Sequence, residues 1–357
     1  MLDALLGVNA HSIDSQLTAL KRLIIEKTEG NPLFMEEIVQ ALTEEGTLVR
    51  NGVVKLTRPL DALKVPPTAQ DIIAARIDRL PAAEKELLQT LAVIGTEFTL
   101  ALAGEVTKKP DDELNRLLND LQLAEFIYEQ PVAHEIEYTF KHAPTREVAY
   151  NSELLERRKE LHEQVGAVIE ALYANSIDDH LDELTEHYGR SGNVRKALMY
   201  QERSGRQALQ RSAYSEARRC LTNALELLPL LPQDAERDQR EFTLQTTLGP
   251  ILMATKGWTA PETERAYRRA EDLLAVSGAA LEQRFTLLVG LFGLAYVRGR
   301  LPAARERLKQ TLEFAKEHPE PAFVLEACHL EWSVALSAGE LETAQHRIKD
   351  GLAFFRG

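Results

Sequence analysis

The chain has 357 residues, 44% of them hydrophobic and 6% aromatic, with a formal net charge of −13. That length accommodates roughly two to three domains, and the acidic balance disfavours the broad phosphate contacts on which nucleic-acid affinity rests. The cysteines, Cys220 and Cys328, are too few for a disulfide framework or a multi-thiolate metal site, so no metal is expected.

Ala, Leu, Glu and Arg recur in long blocks, which favours helix almost everywhere. The longest apolar run, residues 285–297, is too short to span a bilayer and contains Gly290 and Gly293, so it reads as a buried helix. No membrane association is expected. Residues 1–7 lack the basic flank and small-residue cleavage site of a signal peptide, which makes the cytoplasm the expected compartment.

In chain order, residues 12–45 predict two helices separated by Glu29-Gly30-Asn31-Pro32. Leu17, Leu20, Leu23, Ile24 and Ile25 give the first an apolar face, Gly30 closes it, and Pro32 sits where a first-turn proline loses no hydrogen bond. Phe34, Ile38, Val39 and Leu42 mark the second. Residues 47–56 read as a hairpin, with Asn51-Gly52 supplying a two-residue type I′ turn. Pro66-Pro67 breaks the chain, and Thr68 with Asp71 starts a helix that runs to about residue 79.

From Leu80-Pro81 the pattern is helix (82–92), short helix (98–106), helix (111–121), then strands at 126–129 and 137–141 with Pro131 between them. Asp111, Asp112 and Glu113 follow Pro110, where carboxylates suit the positive end of a helix dipole. Three helices and a β-wing make a winged helix. From about residue 178 helix pairs recur. Gly257, Gly299 and Gly339 mark turns, with Ala213 at the turn before them, and alanine follows at one offset in Gly192/Ala197, Gly299/Ala304 and Gly339/Ala344. A period near 40 of this kind is a tetratricopeptide-like solenoid.

Two motifs carry a resemblance. Gly30-Asn31-Pro32-Leu33-Phe34 resembles the Gly-x-Pro motif in the lid of STAND proteins, the signal-transduction ATPases with numerous domains. Phe140-Lys141-His142-Ala143, continued by Thr145-Arg146-Glu147-Val148-Ala149-Tyr150, resembles the Met-His-Asp-like motif of their winged helix, most closely in bacterial members fused to adenylate or guanylate cyclase domains. The resemblance implies a mainly α chain: an AAA-type helical lid with a small hairpin at 1–80, a winged helix at 81–177 and tetratricopeptide-like repeats at 178–357. It also implies that Gly30, Asn31 and Pro32 lie at the nucleotide, with Pro32 against the adenine, and that His142 meets the β-phosphate of ADP. Ala143 departs from the family's acidic residue and Pro144 from its usual leucine.

The sequence contains no Gly-x-x-x-x-Gly-Lys-Ser/Thr loop and no cyclase motif, so the chain alone is not expected to hydrolyse ATP. No catalytic residue is assigned. No cofactor is expected in isolation, and ATP or ADP only alongside an intact P-loop core. The implied role is regulation and protein–protein interaction through the repeats. The alternative is a fragment of a transcription regulator resembling the maltose-regulator type. Against DNA binding, the third helix of the winged helix offers Asp111, Asp112, Glu113 and Asp120 beside Arg116. His180 and His187 share a helical spacing but lack a third metal ligand and read as surface histidines. Trp258 and Trp332 read as packing residues.

Overall fold

The computed structural model describes residues 2–6, 15–51, 53–60, 65–132 and 135–356. The chain is mainly α and divides into two compact units, Met1–Ala174 and Asn175–Gly357.

The first unit opens with α1 (Leu2–Leu5), α2 (Ser15–Thr28) and α3 (Pro32–Glu44). Leu17, Leu20 and Ile24 of α2 form a helical stripe that packs with Phe34, Ile38 and Leu42 of α3. Ile25, expected on that stripe, is rotated away and is 51% exposed. Residues 12–14 of the expected first helix lie outside the described residues. Strands β1 (Leu48–Asn51) and β2 (Val53–Leu56) form the expected hairpin. Its register differs: Arg50 faces Val54 and Asn51 faces Val53, where a two-residue turn at Asn51-Gly52 would set Arg50 against Val53. Helix α4 (Ala69–Arg79) begins as the sequence requires, with the Thr68 side chain accepting from the Asp71 N–H at 3.1 Å.

The unit continues with α5 (Ala82–Ile94), β3 (Glu97–Thr99), α6 (Leu100–Thr107), α7 (Asp111–Leu123), β4 (Ile127–Val132), β5 (Glu135–Phe140), α8 (Ala143–Ser152) and α9 (Leu155–Leu172). From α5 to β5 the order is helix, strand, helix, helix, strand, strand. The antiparallel sheet runs β3-β5-β4. Two expectations are corrected. Phe98 belongs to β3, opposite Tyr138, and the short helix starts only after Thr99, whose hydroxyl accepts from the Leu102 N–H. Pro131 lies inside β4, opposite Ile136; β4 is an edge strand, where a missing N–H interrupts no second ladder.

The second unit begins with a 3-10 turn (Ile177–His180) and contains α10 (Leu181–Ser191), α11 (Val194–Gln210), α12 (Tyr214–Leu227), α13 (Ala235–Lys256), α14 (Pro261–Leu273), α15 (Leu281–Val297), α16 (Leu301–Glu317), α17 (Pro321–Ser337) and α18 (Leu341–Arg356). Each helix packs chiefly on its sequence neighbours, as in a tetratricopeptide-like array. Gly257, Gly299 and Gly339 turn the chain from α13 to α14, α15 to α16 and α17 to α18. Ala197, Ala304 and Ala344 are all buried, so the small residues sit where paired helices approach.

The closest approach is around α15. A Cβ on Gly290 would lie 2.0 Å from the Tyr267 ring of α14, and one on Gly293 would lie 2.1 Å from the Trp258 indole. Tyr267 and Trp258 fill the space the missing side chains leave. Overpacking costs about 1–3 kcal/mol. Gly290→Ala is therefore expected to lower the unfolding free energy read by urea denaturation by about that much. Gly189→Ala on α10, where a Cβ meets nothing within 4 Å, is expected to be neutral or mildly stabilising; equal losses in both variants would contradict this packing.

Candidate functional site

The motif residues around Pro32 and His142 are brought together on one side of the first unit. Gly30, at φ +83°, closes the reversal after α2, and the Asn31 N–H donates to the Thr28 carbonyl at 2.8 Å. The Asn31 side chain then accepts from the Phe34 N–H at 3.2 Å, and Pro32 opens α3. Glu36 lies four residues on, one turn along the helix.

Opposite Glu36, β5 ends at Phe140 and delivers Lys141 and His142. Lys141 is held by its backbone N–H to the Phe126 carbonyl, and His142 caps α8 through its carbonyl, which accepts from the Thr145 N–H at 3.0 Å. Pro144 occupies the first turn of α8, where the missing N–H has no intrahelical partner to lose. The Lys141 ammonium pairs with Glu36 and, at 2.6 Å, with Glu125, and stands 5.9 Å above the Tyr128 ring. His142 Nε2 is 3.4 Å from Glu36 Oε2 yet makes no hydrogen bond, although the atom is buried. Glu36 is thus the hub between the start of α3 and the end of β5.

Burial alone would lower the Lys141 ammonium, but its hydrogen bonds to Glu125 and Glu36 outweigh burial and raise it. For Glu36, burial acts to raise the carboxyl, and the Lys141 hydrogen bond and charge overcome this and hold it below the ordinary range.

Beside this hub is a deeper one that the sequence reading missed. Arg76 of α4 and Glu37 of α3 each have side chains only 2% exposed, and Arg76 Nη1 donates to Glu37 Oε2 at 2.5 Å. Arg76 also donates to Glu44 at 2.6 and 2.9 Å and to the Ala124 carbonyl at 2.7 Å. Its guanidinium lies 4.6 Å from the Phe126 ring centroid. The signal was present: Glu37 falls among the apolar residues of α3, and Arg76 falls between Ile72, Ile73 and Ile77 on α4. A charge on the apolar face of each of two helices marks a buried pair.

The remaining candidates fall elsewhere. His187 is buried at 4% exposure rather than on the surface, because it faces inward on α10 with Leu184 and Tyr188. His180 lies 3.3 Å from Glu183. No group of three or more His, Cys, Asp or Glu among the described residues could hold a metal ion. Asp111 and Asp112 at the start of α7 are exposed, and Glu113 pairs with Lys109 at 2.9 Å. Cys220 and Cys328 are free thiols. No helix among the described residues is long and apolar enough to cross a membrane.

No family model matches the chain. A protein of Rhizobium meliloti, named only as uncharacterized, is 26% identical over 329 residues, which cover 91% of this chain and 31% of that protein. The chain therefore spans about a third of the length of the curated relative it matches. Among solved structures, a STAND protein with a tetratricopeptide repeat sensor from Pyrococcus horikoshii aligns over 100% of this chain and 54% of its own, at 12% identity and a TM-score of 0.33. A score of that size carries no argument about the fold, which rests on the element order and packing described above.

Two outcomes follow from the charges. Arg76→Ala strands the Glu37 carboxylate and is expected to cost about 3–5 kcal/mol in urea denaturation, whereas Arg76→Met with Glu37→Met recovers most of that loss. A double variant as unstable as the single one would contradict the buried pair. Because the folded Glu36 carboxyl is held low, its stabilising contribution is present above the ordinary carboxylate range and is lost as pH falls through its folded value. The stability difference between wild type and Glu36→Gln should therefore be flat near neutral pH and shrink below pH ~4, which denaturation at several pH values reads directly.

Proposed function

We propose that this chain is a regulatory and protein-interaction portion of a STAND-type signalling ATPase, of the kind fused to cyclase domains, and that it carries no catalytic P-loop core of its own. The observation that supports this best is the meeting of the two motifs at Glu36: Gly30-Asn31-Pro32 begins α3, and one turn later the same helix meets Lys141 and His142. In this reading the Glu36 carboxylate occupies the partner position that a phosphate would take. A bound nucleotide would draw the His142 N–H away from Glu36 while the adenine rests near Pro32. Lys141 supplies a second positive charge on the same side.

The helix pairs of the second unit then serve as the sensor, engaging a protein partner whose binding is transmitted to a nucleotide-binding core elsewhere. ATP hydrolysis and cyclase activity would belong to a longer protein, in keeping with a relative about three times the length of this chain. The maltose-regulator reading is less well supported, since the exposed carboxylates that open α7 would repel a DNA backbone.

The test is isothermal titration of the purified chain with ADP and ATP, with His142→Ala alongside. The expected result is ADP binding once a P-loop ATPase core is added, weakened at least tenfold in the variant, with no turnover of ATP by the chain alone. Binding indifferent to His142, or hydrolysis by the chain alone, would overturn the reading.

A further inference from the structure

Against the net charge of −13 of the chain, residues 190–219 hold seven arginines and one lysine but only two glutamates. Part of this charge lines a cavity bordered by α11 and the start of α13. On α11, Ala197, Leu198, Gln201, Ser204, Gly205 and Ala208 are buried, and the opposite stripe carries Arg195, Met199 and Arg206 into solvent. Between that stripe and α13 lies a cavity of about 220 Å³ lined by Arg195, Lys196, Met199, Leu231, Arg237 and Arg240.

The two carboxylates on the same rim are already engaged, and a third, Glu202 of α11, lies near enough to Arg240 and Arg206 for their charges to act on it. Asp234 accepts from the Arg237 N–H at 2.8 Å as the cap of α13, and Glu236 accepts from Arg240 at 3.0 Å. Among the cations, Lys196 donates to the Tyr188 hydroxyl at 2.9 Å and Arg240 is taken by Glu236, whereas Arg195 and Arg237 are less fully satisfied. Arg195 is exposed and pairs with no carboxylate among the described residues. Arg237 donates one Nη1–H to the Leu231 carbonyl, but its Nε is buried without a hydrogen-bond partner. Met199, 42% exposed, gives the groove an apolar centre between these charges.

From this arrangement we infer that the groove between α11 and the start of α13 receives an acidic peptide segment of a partner protein, its carboxylates on Arg195, Arg237 and Arg240 and an apolar side chain against Met199. This rests on the reading of the second unit as a protein-binding array, and names the chemistry of its partner. Charge complementarity selects a carboxylate-bearing ligand. The rim carboxylates and the small apolar centre select a peptide over a nucleic acid, whose continuous phosphates would meet Asp234 and Glu236. The flexible thioether of Met199 suits varied apolar side chains.

The test uses the full chain and two labelled peptides, one of alternating glutamate and leucine and one with glutamine in place of glutamate, followed by fluorescence anisotropy. The acidic peptide is expected to bind, to weaken with added salt, and to weaken at least tenfold in Arg195→Glu with Arg240→Glu. Arg305→Glu, an exposed arginine on α16 paired with Glu340, should leave binding unchanged. Circular dichroism establishes that the variants remain helical. Binding of the glutamine peptide but not the acidic one would overturn the groove while sparing the protein-binding reading. Binding of neither peptide would count against both. Tighter binding of a labelled DNA duplex than of the acidic peptide, lost in the same double variant, would overturn the peptide assignment.

Discussion

A buried arginine organises the first unit. The Arg76 guanidinium is nearly sealed from water, and its charge is tolerable only because Glu37, Glu44, the Ala124 carbonyl and the Phe126 ring surround it. Those partners come from α3, from the turn after α7, and from the residue that leads into β4. The interaction therefore fixes the helical segment that carries Pro32 against the sheet that carries His142. The Glu36–Lys141 pair joins the same two segments a second time, nearer the surface. Burial penalises this guanidinium, yet its carboxylate partners outweigh burial and raise it, so it remains charged.

The second unit solves a different problem with different chemistry. Its helices contact mainly their neighbours in sequence, so no single residue organises the whole array. Cohesion comes from repeated close approaches: buried alanines at the start of α16 and α18, and aromatic rings of neighbouring segments seated on glycines of α15. This leaves the outward-facing stripes free to vary in charge, and α11 uses that freedom to gather arginines in a chain that is acidic as a whole.

Features governed by local chemistry were legible in the sequence. Thr68 with Asp71 foretold the start of α4, Asn31-Pro32 the start of α3, and the recurrence of Gly and Ala near 40 residues the pairing of helices. Features set by distant partners were not. Strand β3 has three residues, too few for a period to show, and exists because β5 lies beside it. Pro131 reads as a break until its position on a sheet edge is known. The candidate site was half visible: the motifs named Pro32 and His142, but Glu36, which connects them, looked like one surface carboxylate among many. Arg76 and Glu37 are separated by 39 positions and become a pair only once α3 and α4 pack.

The functional account turns on one contact that two ligands cannot share. His142 faces Glu36 at 3.4 Å without a completed hydrogen bond, and Lys141 fastens the same carboxylate from the strand end. A contact at that distance without a completed hydrogen bond can be exchanged for one to another anion. The most direct measurement is the ¹⁵N resonance of the His142 ring during titration with ADP, in wild type and in Glu36→Gln. The account predicts that ADP moves the His142 signal once a P-loop core is added, and that Glu36→Gln moves it before any nucleotide is present. A His142 signal indifferent to both would contradict the role assigned to this contact.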